Sequence, residues 1–223
     1  MEELINKNNQ LINEVVETLP EIQQPNDTTK NYKCYLGSIK KFERKKQEEE
    51  RLKRMRVIEE IHHIEEWTER RINNILFDSY VDDWNKNTSV FKQRIMNKKH
   101  VIIIIEDSEG NKFGGYVNEK IDKVDDYIYD SQSFLFSLES KGRMEGMMKF
   151  DIKQPQYAFC LFNQSDDWLF EFGYGFGDIR VYKENDKIIS YCCQWSFDYK
   201  GIENALCGHQ FFTPKRIIVI EMK

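Results

Sequence analysis

Apolar residues recur at helical spacing over residues 1–18, where Leu4, Ile5, Leu11, Ile12, Val15 and Val16 share a face. The pattern stops short of Pro20, whose ring disfavours helix in the residue ahead of it. A short amphipathic helix is predicted there, followed by a linker to residue 33, because Pro20, Pro25, Asn26, Asp27 and a threonine pair leave little to bury. From Lys41 to Ile72 there is neither Gly nor Pro, and Glu49 with Lys53, Glu50 with Arg54 and Glu66 with Arg70 stand four residues apart. That spacing supports one long, exposed, charged helix. Its apolar positions Leu52, Met55, Ile58, Ile61, Ile64 and Trp67 step by three, so the stripe drifts around the helix and makes a poor coiled-coil seam.

After Asn73 the pattern changes to short apolar runs bounded by turn residues. Val101 to Ile105 is β-branched throughout and reads as a strand buried on both faces, with Asp107-Ser-Glu-Gly110 turning into a partner strand over Lys112 to Val117. Further strands are predicted at Ser133–Leu138, Tyr157–Phe162, Trp168–Phe172, Ile179–Tyr182, Ile188–Gln194 and Arg216–Met222. A short helix is predicted over Ser89–Asn97, capped by Thr88 or Ser89, with Phe91 and Ile95 on one face. The fold expected is α+β: a mostly antiparallel β-sandwich with flanking helices, preceded by a long charged N-terminal helix. The organisation expected is a short helix and linker over 1–33, a charged helical segment over 34–72 and the sandwich domain over 73–223.

At 223 residues the chain has room for one well-cored domain and an accessory segment. A net charge of −5 offers no overall field to draw it to nucleic acid or anionic lipid. No apolar run approaches the roughly 20 residues that cross a bilayer, and the N-terminus lacks a signal pattern, so a cytoplasmic or nuclear protein is expected. Five cysteines, an odd number set mostly in apolar surroundings, fit a reducing compartment.

No sequence constellation announces catalysis. Gly173, Gly175 and Gly177 do not open a helix as a dinucleotide fingerprint must, so the expectation is a turn in which Tyr174 and Phe176 fill space. Cys192, Cys193, Cys207 and His209 lack the Cys-x-x-Cys spacing of a zinc site, and His62 and His63 lack partners at ligand geometry. Asp82-Asp83-Trp84-Asn85 resembles the start of a calcium loop but lacks the required Gly and Glu. No cofactor or metal is expected.

The order of the segments is more telling than any one of them. Ile75-Leu-Phe-Asp-Ser79, the strand Val101–Ile105, Glu106-Asp-Ser-Glu-Gly-Asn-Lys-Phe-Gly-Gly-Tyr116, Ser131-Gln-Ser-Phe-Leu-Phe-Ser-Leu138 and Phe172-Gly-Tyr-Gly-Phe-Gly-Asp178 resemble, in that order, the TLDc family. The chain departs from the family in a glycine-rich turn reduced to three glycines, and in Cys193-Gln-Trp-Ser-Phe-Asp198, which follows the family's stretch before the last strand only loosely. The resemblance implies a non-enzymatic interaction module on a β-sandwich, a link to oxidative-stress resistance, and a protein partner in the subunits of the vacuolar proton-pumping ATPase. It supplies no catalytic residues. The partner-binding candidates are Gly173, Tyr174, Gly175, Phe176 and Gly177. Two other readings stand beside it: a thiol-based antioxidant enzyme in which Cys193 or Cys207 reacts with peroxide, and a nucleic-acid binder using Arg44 to Arg56.

Overall fold

The computed structural model describes residues 28–184 and 189–223. The helix and loop predicted up to Asp27, and the start of the predicted strand at Ile188, lie outside the described residues. The chain divides into two units, Met1–Met55 and Arg56–Lys223. Helix α1, Thr28–Thr68, begins inside the stretch read as linker and ends before Ile72, the expected limit. Glu69 takes a left-handed conformation, the Arg70 amide reaches back to the Glu65 carbonyl, and the Thr68 hydroxyl donates to the Ile64 carbonyl at 2.7 Å. These contacts close the last turn without a glycine. In the first unit, Lys45–Glu49 and Glu48–Arg51 form exposed ion pairs, and Phe42, Leu52 and Met55 are exposed.

The second unit is a sandwich of two six-stranded sheets whose strand pairs are all antiparallel. The first sheet runs β1 (Ile72–Asp78), β12 (Pro214–Met222), β2 (Val101–Asp107), β3 (Lys112–Val117), β5 (Phe134–Glu139), β6 (Met148–Asp151). The second runs β11 (Phe211–Phe212), β10 (Ser190–Tyr191), β9 (Ile179–Tyr182), β8 (Trp168–Phe172), β7 (Phe159–Leu161), β4 (Tyr127–Ile128). Strand alternation divides β2 between two clusters. Val101, Ile103 and Ile105 enter the core between the sheets with Leu135, Phe159, Phe170 and Phe172, while Ile102 joins Ile64, Tyr116, Phe134 and Phe136 on the opposite face. The expectation of a doubly buried strand therefore holds, and the end of α1 supplies the second cover. At Gly115 the facing sheet leaves no room for a side chain: a β-carbon there would stand 2.6 Å from the Phe172 ring.

Three differences from the predicted elements have physical causes. The helix predicted over Ser89–Asn97 is one short turn, α2 (Phe91–Ile95), with Val90 in the capping position, although the Ser89 hydroxyl still accepts the Phe91 amide at 3.2 Å. The strand predicted to end at Gln194 pairs only over Ser190–Tyr191, because the Cys193 amide turns away to the Gly177 carbonyl. Strands β4, β6 and β11 carried too short an apolar signal to be predicted, and each is stabilised by its partner strand rather than by its own pattern.

Candidate interaction surface

The turn joining β8 to β9 carries the five predicted residues, and a buried carboxylate organises it. Asp178 is fully buried; its carboxylate accepts the backbone amides of Trp195 (3.1 Å), Ser196 (2.9 Å) and Phe197 (3.3 Å) and the Tyr199 hydroxyl (3.1 Å). Burial pushes this carboxyl up to about 6, against the opposing pull of those amides and the hydroxyl. The Tyr174 amide donates to the Ser196 hydroxyl at 3.0 Å and the Cys193 amide to the Gly177 carbonyl at 3.2 Å. Residues 193–197 are thereby fastened alongside the glycine-rich turn.

On its other side the turn is held by a charged pair between strands. Arg180 on β9 binds Glu171 on β8, and Tyr127 on β4 donates its hydroxyl to the same carboxylate. Arg180 also donates to the Gly175 carbonyl at 2.6 Å, and the Gly173 carbonyl lies 3.2 Å from the Tyr127 hydroxyl as a second acceptor for its one hydrogen. Burial raises the pKa of Glu171, and Tyr127 and Arg180 oppose that rise. Desolvation and the Glu171 hydrogen bond hold Tyr127 in its neutral form.

What this scaffold displays is aromatic. Tyr174, Phe176 and Trp195 are 55%, 64% and 65% exposed, although their backbones are fixed. Tyr174 packs against Tyr157 with ring centres 4.4 Å apart, and Phe176 leads through Tyr191 to the half-exposed Phe211. No charged residue occurs in 172–177 or 189–197. The expectation that Tyr174 and Phe176 fill space is thus corrected: more than half of each residue is exposed to solvent. Trp195, Asp178, Glu171 and Arg180 were not among the predicted site residues. The one sequence signal for Trp195 was its place in the loosely matching segment Cys193–Asp198.

The other sequence candidates do different work. Asp83 accepts the Asn85 amide at 2.8 Å and Asp82 pairs with Arg94, so both build the turn ahead of α2. His63 stacks on Trp67 with ring centres 5.3 Å apart. Among the described residues no group of three or more His, Cys, Asp and Glu side chains is arranged to hold a metal ion. Burial pushes the thiols of Cys192 and Cys193 up, and that of Cys160 up to about 12. Cys207 is drawn down by its hydrogen bond with Cys192 but is buried, its sulfur 2.9 Å from the His209 carbonyl. Within the basic segment, Lys45 and Arg51 are paired to glutamates of the same helix.

A family model, the TLDc domain, matches residues 47–208. The chain belongs to the TLDc family. None of the curated proteins matches it. The matched span of this TLDc protein holds both sides of the aromatic rim, the turn at Gly173–Gly177 and the Trp195 segment, and no described helix is long and apolar enough to cross a membrane.

Proposed function

We propose that this TLDc protein is a non-enzymatic protein-interaction module that binds its partner through the rim formed by Gly173, Tyr174, Gly175, Phe176 and Gly177 together with Trp195. The observation that carries the reading is the exposure of three large aromatic rings on backbone held by Asp178 and Arg180. Fixed aromatic side chains lose little conformational freedom on association and dominate binding energy at protein interfaces. The absence of charge in the two segments matches the charge-poor centre of such interfaces.

From the family's associations, the partner is the soluble part of the vacuolar proton-pumping ATPase, met in the cytoplasm, and the consequence of binding is resistance to oxidative stress. The test is capture of ATPase subunits from native lysate by the full chain and by a Phe176→Ala/Trp195→Ala variant. Recovery by the wild type and its loss in the folded variant supports the reading. Equal recovery by both moves the binding surface elsewhere, and recovery by neither withdraws the pump as partner.

A further inference from the structure

The Tyr199 hydroxyl has two acceptors for one hydrogen. Its oxygen lies 3.1 Å from Asp178 Oδ2 and 3.3 Å from the carbonyl oxygen of Cys193. While Asp178 is ionised, every group around its carboxylate is a donor: three backbone amides and this hydroxyl. A proton added to Oδ2 needs an acceptor, and Tyr199 Oη is placed to be one, because its own hydrogen can rotate to the Cys193 carbonyl. One O–H bond forms, none breaks, and both hydrogens remain bonded.

We propose that Asp178, Tyr199 and the Cys193 carbonyl form a proton-operated clasp that sets how firmly the Trp195 segment is held against the glycine-rich turn, and so makes binding at the aromatic rim depend on pH. The binding half rests on the proposed interaction surface; the clasp itself does not. Hydrogen bonds to an ionised acceptor are roughly twice as strong as neutral ones. The three amides that lose that assistance on protonation are those of Trp195, Ser196 and Phe197, so acid loosens the segment that presents Trp195.

The titratable groups facing Asp178 are Tyr199, Cys192 and Cys193, and burial raises all three, leaving them neutral where Asp178 exchanges its proton. Across the turn, Arg180 is paired with Glu171, whose own titration is read at the Arg180 side chain and not at residues 195–197. The carboxyl of Asp178 itself stands at about 6, inside the range that the experiment scans.

The experiment is an NMR titration of the full-length chain from pH 7.5 to 5. The expected result is that the amides of Trp195, Ser196 and Phe197 and the carbonyl carbon of Cys193 move together with a midpoint of about 6. Asp178→Asn, which is neutral and carries both an acceptor and a donor, should sit near the acid-limit positions at every pH. Tyr199→Phe should keep the amide titration and lose the movement of the Cys193 carbonyl. Amides that do not move while the chain stays folded overturn the clasp, and a Cys193 carbonyl that is still in the wild type, or moves equally in Tyr199→Phe, overturns the relay. Capture of ATPase subunits several-fold weaker at pH 5.5 than at 7.5 in the wild type, and flat in Asp178→Asn, supports the link to binding; capture independent of pH overturns it. Failure of the binding surface itself shows instead as equal capture by the Phe176→Ala/Trp195→Ala variant at pH 7.5, with the titration unaffected.

Discussion

Gly173 and Asp178 are packed so closely that a β-carbon on Gly173 would stand 2.9 Å from the Asp178 carboxyl carbon, and Gly173 is itself left-handed with φ of 81°. The contact closes the turn: the Asp178 amide returns to the Phe172 carbonyl at 2.6 Å, and the carboxylate then reaches across to residues 195–197. Gly175 has a similar φ of 78°, but nothing lies within 4 Å of the position its β-carbon would take.

Substitutions at these two glycines should therefore separate. Gly173→Ala combines backbone strain with displacement of a buried acceptor and should cost about 2 to 4 kcal/mol. Gly175→Ala carries the backbone term alone, about 1 kcal/mol. Chemical denaturation of the two variants checks the difference, and equal losses would show that the Asp178 contact contributes nothing.

Arg180→Ala should be among the most damaging single changes in the sandwich. It leaves Glu171 buried with only Tyr127 as partner, and breaking one side of a buried pair typically costs about 3 to 5 kcal/mol. Adding Glu171→Gln to that variant removes the stranded charge and should recover part of the loss, which a double-mutant cycle measures.

The pH dependence of stability has a definite sign at Asp178. Its folded-state pKa, about 6, lies above the ordinary 3.8 because burial of the carboxyl outweighs the opposite pull of the amides, so folding as a whole takes up a proton even though the hydrogen bonds to residues 195–197 weaken when it does. The stabilisation is full below the unfolded value and is lost as pH rises through about 6, with an amplitude on the order of 3 kcal/mol. Measured between pH 7.5 and 5, the wild type should gain stability relative to Asp178→Asn as pH falls. Parallel curves for the two proteins would contradict this.

Phe136 is fully buried on β5, beneath Trp67 at a ring-centre distance of 6.1 Å. Phe136→Ala should cost about 3 to 5 kcal/mol by cavity formation. Phe176→Ala and Trp195→Ala, whose rings face solvent, should each stay within about 0.5 kcal/mol of wild type. Thermal unfolding of the three variants tests the contrast on which the binding experiment depends.

The strands legible in the sequence are those with a strong pattern of their own. Val101–Ile105, Trp168–Phe172 and Ile179–Tyr182 were predicted within the strands found, because β-branched and aromatic runs between turn residues leave the backbone few alternatives. The two-residue strands β4 and β11 depend on neighbours far away in sequence and were not predicted, and β10, predicted within Ile188–Gln194, is shorter than that stretch because only its pairing sets where it ends. The same division runs through the candidate site. The three glycines were visible because a tight turn needs left-handed residues, and their spacing marked the turn.

By itself, then, the sequence determined the sandwich class, the long charged helix, the family resemblance and the place of the glycine-rich turn, all of which follow from local periodicity or segment order. Only the tertiary structure decided that Tyr174 and Phe176 point outward, that Trp195 stands with them, and that Asp178 and Arg180 hold the arrangement. Those facts depend on contacts between segments such as Asp178 and Ser196, whose pairing is selected by the burial of one carboxylate among distant donors and leaves no periodic trace along the chain.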